Sequence, residues 1–192
     1  MSNVKFETRE QWLQAGVAIL NAKVFRSADL TAPKDAKVCC SWPGGGSRQK
    51  TIGECWSRSA SKAKVNEMFI SPRLDNPTEA LAVLAHEMIH AIDDCKNGHK
   101  APFRKMATAI GLEGKMKATV AGEALQAQLV TIAGELGDYP HSALSTAGRK
   151  KQSTRLIKCT CPECGYVARV AQKWIDVGAP VCPEDNISME VA

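Results

Sequence analysis

No stretch of this 192-residue chain approaches the roughly 20 apolar residues that a membrane-spanning helix needs, and no apolar leader follows Met1. A membrane partner is therefore not expected, and the site of action reads as the cytoplasm. The brevity and the lack of disordered partner-binding tails fit a bacterial protein, or a phage-encoded one working in its host. In that reducing setting the eight cysteines are expected to be free thiols or metal ligands, not a disulfide framework. No internal repeat or long low-complexity segment occurs, which excludes repeat architectures. Histidine is scarce as well, with only four in the chain, so a site built from imidazole has few residues to draw on. What remains fits one main domain with a small appendage.

Two of those histidines stand in His86-Glu87-Met88-Ile89-His90. On a helix, residues four apart share a face about 6 Å apart along the axis, so His86 and His90 can grip one metal ion. Glu87 then lies beside the ion without ligating it. A catalytic zinc takes three protein ligands, keeps a water, and needs a carboxylate to collect that water's proton. The apolar positions Leu81, Ala82, Leu84, Ala85, Met88, Ile89 and Ile92 predict a buried helix over 77–96 around the motif. Asn76 reads as its N-cap, Pro77 as its first residue, and Glu79 as the partner in a capping box. Asn97-Gly98 reads as its stop.

His99 is the expected third ligand, since neutral imidazole suits zinc. Asp94 continues the four-residue spacing, but eight residues from His86 is about 12 Å along a straight helix, too far for one ion. Cys55 is a second competitor. Gly53-Glu54-Cys55-Trp56-Ser57 ahead of such a helix resembles peptide deformylases in part, whose metal is held by one Cys and two His. The middle of the motif lacks their Asp, and Cys55 is expected in the core.

Around this helix, Thr8-Arg9-Glu10-Gln11 reads as a capping box opening a first helix over 8–28, with Trp12, Ala15, Ile19, Leu20 and Val24 facing inward. Lys37 to Trp42, Ile52 to Arg58 and Val65 to Ser71 read as strands of one small twisted sheet, with a Pro43-Gly44-Gly45-Gly46-Ser47 turn after the first. Pro102 to Ile110 and Val120 to Leu136 read as further helices ended by Gly111 and Gly137. Cys39, Cys40 and Cys95 have no partner at metal-ligand spacing and read as buried or incidental.

A second constellation follows. Cys161-Pro162-Glu163-Cys164-Gly165 has the form of a zinc knuckle, in which a tight turn aims two thiolates at one ion. Cys182-Pro183-Glu184-Asp185 repeats it with Asp185 in place of the last cysteine, and Cys159 offers a substitute thiolate. The expected structural zinc site is thus Cys161, Cys164, Cys182 and Asp185. Between Arg149 and Lys173 seven basic residues, Arg149, Lys150, Lys151, Arg155, Lys158, Arg169 and Lys173, face the single acid Glu163, in a chain whose net charge is +5. With Tyr166 and Trp174 among them, phosphate contact plus base stacking on single-stranded DNA is the expected use, and Trp174 is also a candidate for the core of this small module.

Taken together, Asn66 to Pro72, Val83 to His90, Gly98-His99 with Phe103, and Ile110-Gly111-Leu112 resemble the SprT-like family of zinc metalloproteases, which includes Spartan-type proteases acting on DNA-bound proteins. The resemblance covers roughly residues 50 to 190. It implies an α+β, gluzincin-like (minigluzincin) metalloprotease domain over 1–147, with a small antiparallel or mixed sheet packed on helices, and a zinc-ribbon β-hairpin module over 148–192. It also implies zinc held by His86, His90 and His99, with Glu87 as base. In zinc peptidases of this design the strand nearest the metal helix presents an open edge to an extended substrate, and Asn66 to Ser71 is the expected edge. His141, Tyr139 and Arg155 are candidates to stabilise the oxyanion. The alternatives are a nucleic-acid-binding zinc ribbon on a non-catalytic metallohydrolase scaffold, and a deformylase-like hydrolase using Cys55.

Overall fold

The first helix, α1 (Arg9–Leu20), is opened by a reciprocal cap: the Gln11 backbone N–H donates to Thr8 Oγ1 and the Thr8 N–H donates to Gln11 Oε1. Its buried face is Trp12, Leu13, Gly16, Val17 and Leu20, whereas Ala15 and Ile19 are only partly buried. The shift from the expected stripe has a physical cause at Gly16, where a Cβ would lie 3.2 Å from the Leu81 and Leu84 side chains. The helix turns its bare position toward its closest neighbour. A π turn (Asn21–Phe25) and a 3-10 turn (Arg26–Ala28) continue α1 to the end of the expected span.

The computed structural model describes residues 5–44, 50–148 and 155–192. Gly45, Gly46 and Ser47 of the expected turn, and the basic residues Arg149, Lys150 and Lys151, lie outside them. The chain divides into two compact units, Met1–Thr146 and Ala147–Ala192. It is a mixed α and β structure with small sheets.

In the first unit, strands β1 (Lys37–Cys40), β2 (Gly53–Trp56) and β3 (Glu67–Ile70) form one sheet in the order β1-β3-β2, with β1 parallel and β2 antiparallel to β3. This corrects the expected edge. Strand β3, within Asn66 to Ser71, is central, and β2 is the edge strand that packs along the long helix α2 (Pro77–Ile92). Chain order does not reveal sheet order, and β3 reaches the middle because both neighbours pair with it.

Helix α2 is capped by Asn76 Oδ1, which accepts from the Thr78 and Glu79 backbone N–H groups at 3.0 Å, with Pro77 next. It ends at Ile92, short of residue 96. Asp94 and Cys95 adopt left-handed φ values of 55° and 60°. The Asp94 carboxylate holds that turn by accepting from the Arg58 backbone N–H (2.7 Å) and Asn66 Nδ2 (3.1 Å). Tertiary contacts thus stop the helix before the glycine does.

Helix α3 (Ala101–Ala109) follows, then a hairpin of β4 (Leu112–Lys115) and β5 (Ala118–Ala121), then α4 (Glu123–Leu136). Val120 belongs to β5, not to the start of a helix. The β-branched pair Thr119-Val120 favours a strand, and the helix begins only after Gly122. Helices α1, α2 and α4 pack on one another, and Leu13, Leu84, Met88, Ile89, Leu129 and Ile132 are among the side chains they bury. The indole N–H of Trp12 is satisfied by the Gly137 carbonyl at 2.9 Å.

The second unit holds an antiparallel sheet β7-β6-β8, from β6 (Leu156–Thr160), β7 (Val167–Ala171) and β8 (Glu190–Val191), with a single turn of helix, α5 (Gln172–Ile175). Cys159, Cys161, Cys182 and Met189 form its buried cluster among the described residues. Trp174 is 58 % exposed and so does not serve as its core.

Candidate metal centre

Helix α2 presents His86 and His90 from successive turns, and the chain leaving the 93–98 turn returns His99 to them. His99 Nε2 lies 3.2 Å from His86 Nε2 and 3.2 Å from His90 Nε2. Nitrogens bound to one tetrahedral zinc at about 2.0–2.1 Å lie about 3.3 Å apart, so this set fits a three-imidazole site with an open fourth position. Phe103 of α3, fully buried, underlies all three rings, with centroid distances of 4.8, 4.5 and 5.0 Å to His86, His90 and His99. Thr119 Oγ1 of β5 lies 2.8 Å from His86 Nδ1.

Burial favours neutral imidazole throughout. It holds His86 down at about 3 and His90 at about 4, with help from the neighbouring histidines, and lowers His99 with help from Lys117. All three lone pairs are therefore available to a metal at neutral pH. Burial acts in the opposite direction on Glu87, raising its carboxyl to about 8, assisted by Cys95 and Glu54.

The three histidines and Glu87 line a cleft of 970 Å³ with β2 on one side and β5 on the other. Gly53 is what lets β2 come so near: a Cβ there would sit against the Glu87 carboxylate and 2.6 Å from Val83 Cγ1. Cys55 also lines this wall but does not join the histidine cluster. The Cys95 thiol donates to the Cys55 carbonyl at 3.3 Å, and the nearness of Cys95 together with burial pushes the Cys55 thiol up. The deformylase-like ligand set is thereby corrected. Asp94 is likewise engaged elsewhere, with Arg58 and Asn66. Of the oxyanion candidates, Tyr139 packs on Trp12 with centroids 4.6 Å apart, and His141 Nε2 donates to the Pro72 carbonyl at 2.9 Å. Neither lines the cleft, and Arg155 is an exposed residue of the second unit.

In the second unit Cys161, Cys164, Cys182 and Asp185 converge, each offering one ligand atom within 4.8 Å of the others. Asp185 Oδ2 accepts from the Cys161 thiol at 3.0 Å and from the Cys182 thiol at 3.4 Å, and the Cys164 and Cys182 sulfurs are 3.6 Å apart. The two knuckles share one backbone plan. The Gly165 N–H donates to the Cys161 carbonyl as the Asn186 N–H does to that of Cys182, and the Cys161 and Cys182 N–H groups donate to Tyr166 and Ile187. Gly165 (φ 74°) and Asn186 (φ 53°) hold equivalent left-handed positions. The repeat brings Asp185 to the place of Cys164, and the donor set suits a closed zinc site. Cys159 stays outside it, in the small core.

Lys158 and Arg169 are cross-strand partners on β6 and β7, both exposed, and Lys173 Nζ lies 4.8 Å from the Trp174 ring centroid. Sequence reasoning missed the roles of Thr119 and Gly53 and gave Phe103 no contact. The place of Gly53 at the head of the Gly53–Ser57 stretch was the one available signal, and none marks Thr119.

A sequence profile described as the SprT-like family matches residues 13–122, more than half of the chain, from α1 through β5. Neither a curated protein nor a solved structure gives a match.

Proposed function

Because the chain belongs to the SprT-like family, a metalloprotease-type family, we propose that it is a zinc-dependent endopeptidase whose site is His86, His90, His99 and Glu87. The convergence of three neutral imidazoles beside a buried carboxyl carries this reading. Zinc, when bound, supplies a Lewis acid for the scissile carbonyl and lowers the pKa of a water to about 7. Glu87 accepts the proton of the attacking water and passes it to the leaving amine. The free edge of β2 hydrogen-bonds an extended substrate backbone, so recognition reads an accessible strand more than a sequence.

We further assign residues 1–147 to the gluzincin-like protease and 148–192 to a zinc ribbon with a structural ion, acting in the cytoplasm on DNA-associated proteins. The exposed Lys158, Arg169 and Lys173 with Tyr166 and Trp174 support contact with single-stranded DNA through phosphates and stacked bases. An unstructured basic protein mixed with single-stranded DNA tests the reading. The parent should cleave it, whereas Glu87→Gln should keep its zinc and cleave at least about 100-fold more slowly. Equal cleavage by the two proteins would rule out Glu87 as the base, and no cleavage by the parent would favour a nucleic-acid-binding ribbon on a non-catalytic scaffold.

A further inference from the structure

We infer that Thr119 is a positioning residue, one that fixes the tautomer and orientation of His86 by accepting its Nδ1 proton; the inference rests on the metal reading above. A neutral imidazole carries one proton on either nitrogen, and the bond made by one nitrogen decides which electron pair the other can offer. His86 Nε2 is the atom that faces the His99 nitrogen, at 3.2 Å. It can offer a lone pair there only if the proton resides on Nδ1, and Nδ1 is 2.8 Å from Thr119 Oγ1. The hydroxyl reaches it from a different element. Thr119 stands on β5, paired across the hairpin with Gly114, and β5 also forms the cleft wall opposite β2.

The ring of His86 is otherwise set by packing on Phe103 and by its helix, and neither chooses a tautomer. Without the Thr119 acceptor, the ring populates the tautomer that blocks Nε2, and binding must first reverse it. Removing an outer partner of a metal-ligating histidine weakens metal affinity about 10–100-fold.

Cobalt titration of the full-length protein tests this, because a thiolate-rich site shows a sulfur-to-cobalt charge-transfer band and an imidazole site does not. Thr119→Val keeps the β-branched shape of the strand and removes the hydroxyl, and Thr119→Ser keeps the hydroxyl. The expected result is cobalt binding at the histidine site weakened about 10–100-fold in T119V with a shifted d–d envelope. T119S should stay within about threefold of the parent, and the thiolate band should be unchanged in both. A parent band that T119V leaves unmoved in position and affinity overturns this inference alone. A parent with no cobalt signal sensitive to His90→Ala overturns the metal reading and this inference with it.

Discussion

His86, His90 and Glu87 share one buried pocket, yet burial works on them with opposite sign, and the pH response of the metal-free protein follows. The folded values of the two histidines, about 3 and about 4, lie below the unfolded value near 6.5. Their contribution to stability is therefore present above about 6.5 and is lost as pH falls toward 4. Glu87 rises from 4.5 to about 8, so its contribution is complete at low pH and is lost as pH climbs through 8. Between pH 7 and 8 the histidines are neutral in the folded state and mostly neutral in the unfolded one, so Glu87 dominates the change and comparison with Glu87→Gln isolates it. Urea denaturation of the metal-free parent should lose about 1 kcal/mol across that interval relative to Glu87→Gln. Parallel pH curves for the two proteins would show that the carboxyl does not carry the shift. At this scale the motif was legible, because helical periodicity converts a four-residue spacing into a shared face. Thr119 was not, because no local rule connects residues 33 positions apart.

Among elements, β2 is where sequence and structure part most instructively. The strands themselves were readable from β-branched and aromatic runs, but their lateral order depends on which neighbours pair, and that placed β3 in the centre. The early end of α2 has the same origin, since Asn66 and Arg58, in the segment that joins β2 to β3, capture Asp94 from far away in sequence. Gly53 makes β2 testable. Its missing side chain leaves room for Glu87 and Val83, so Gly53→Ala must push the strand outward or displace the carboxylate. Overpacking of this kind costs about 1–3 kcal/mol. Thermal melts should register that loss, and cleavage should fall at least about tenfold while zinc content holds, since no histidine moves with β2. Unchanged cleavage in a folded G53A protein would remove β2 from substrate binding.

For the molecule as a whole, two units carry two unlike donor sets, one of imidazoles and one of thiolates with a carboxylate. Zinc analysis of the purified chain should find two ions. His90→Ala should remove one and Cys161→Ser the other, each leaving its counterpart in place, because no residue is shared between the clusters. Asp185→Cys should tighten the second site against a chelator, as thiolate is the softer ligand for zinc. A single ion in the parent would mean that one cluster is not a metal site. The near-literal repetition of the knuckle made the second cluster legible down to Asp185. The exposure of Trp174 was not legible, because a tryptophan in so small a module looks the same in sequence whether it fills the interior or lies outside.

Phe103 belongs to the main apolar interior and at the same time touches every ring of the histidine trio. A displacement of this one benzene ring therefore disturbs all three imidazoles together. Trimming it to leucine is accordingly expected to lower the temperature at which the proposed ion is released, which metal release followed through a thermal ramp of Phe103→Leu and parent would read.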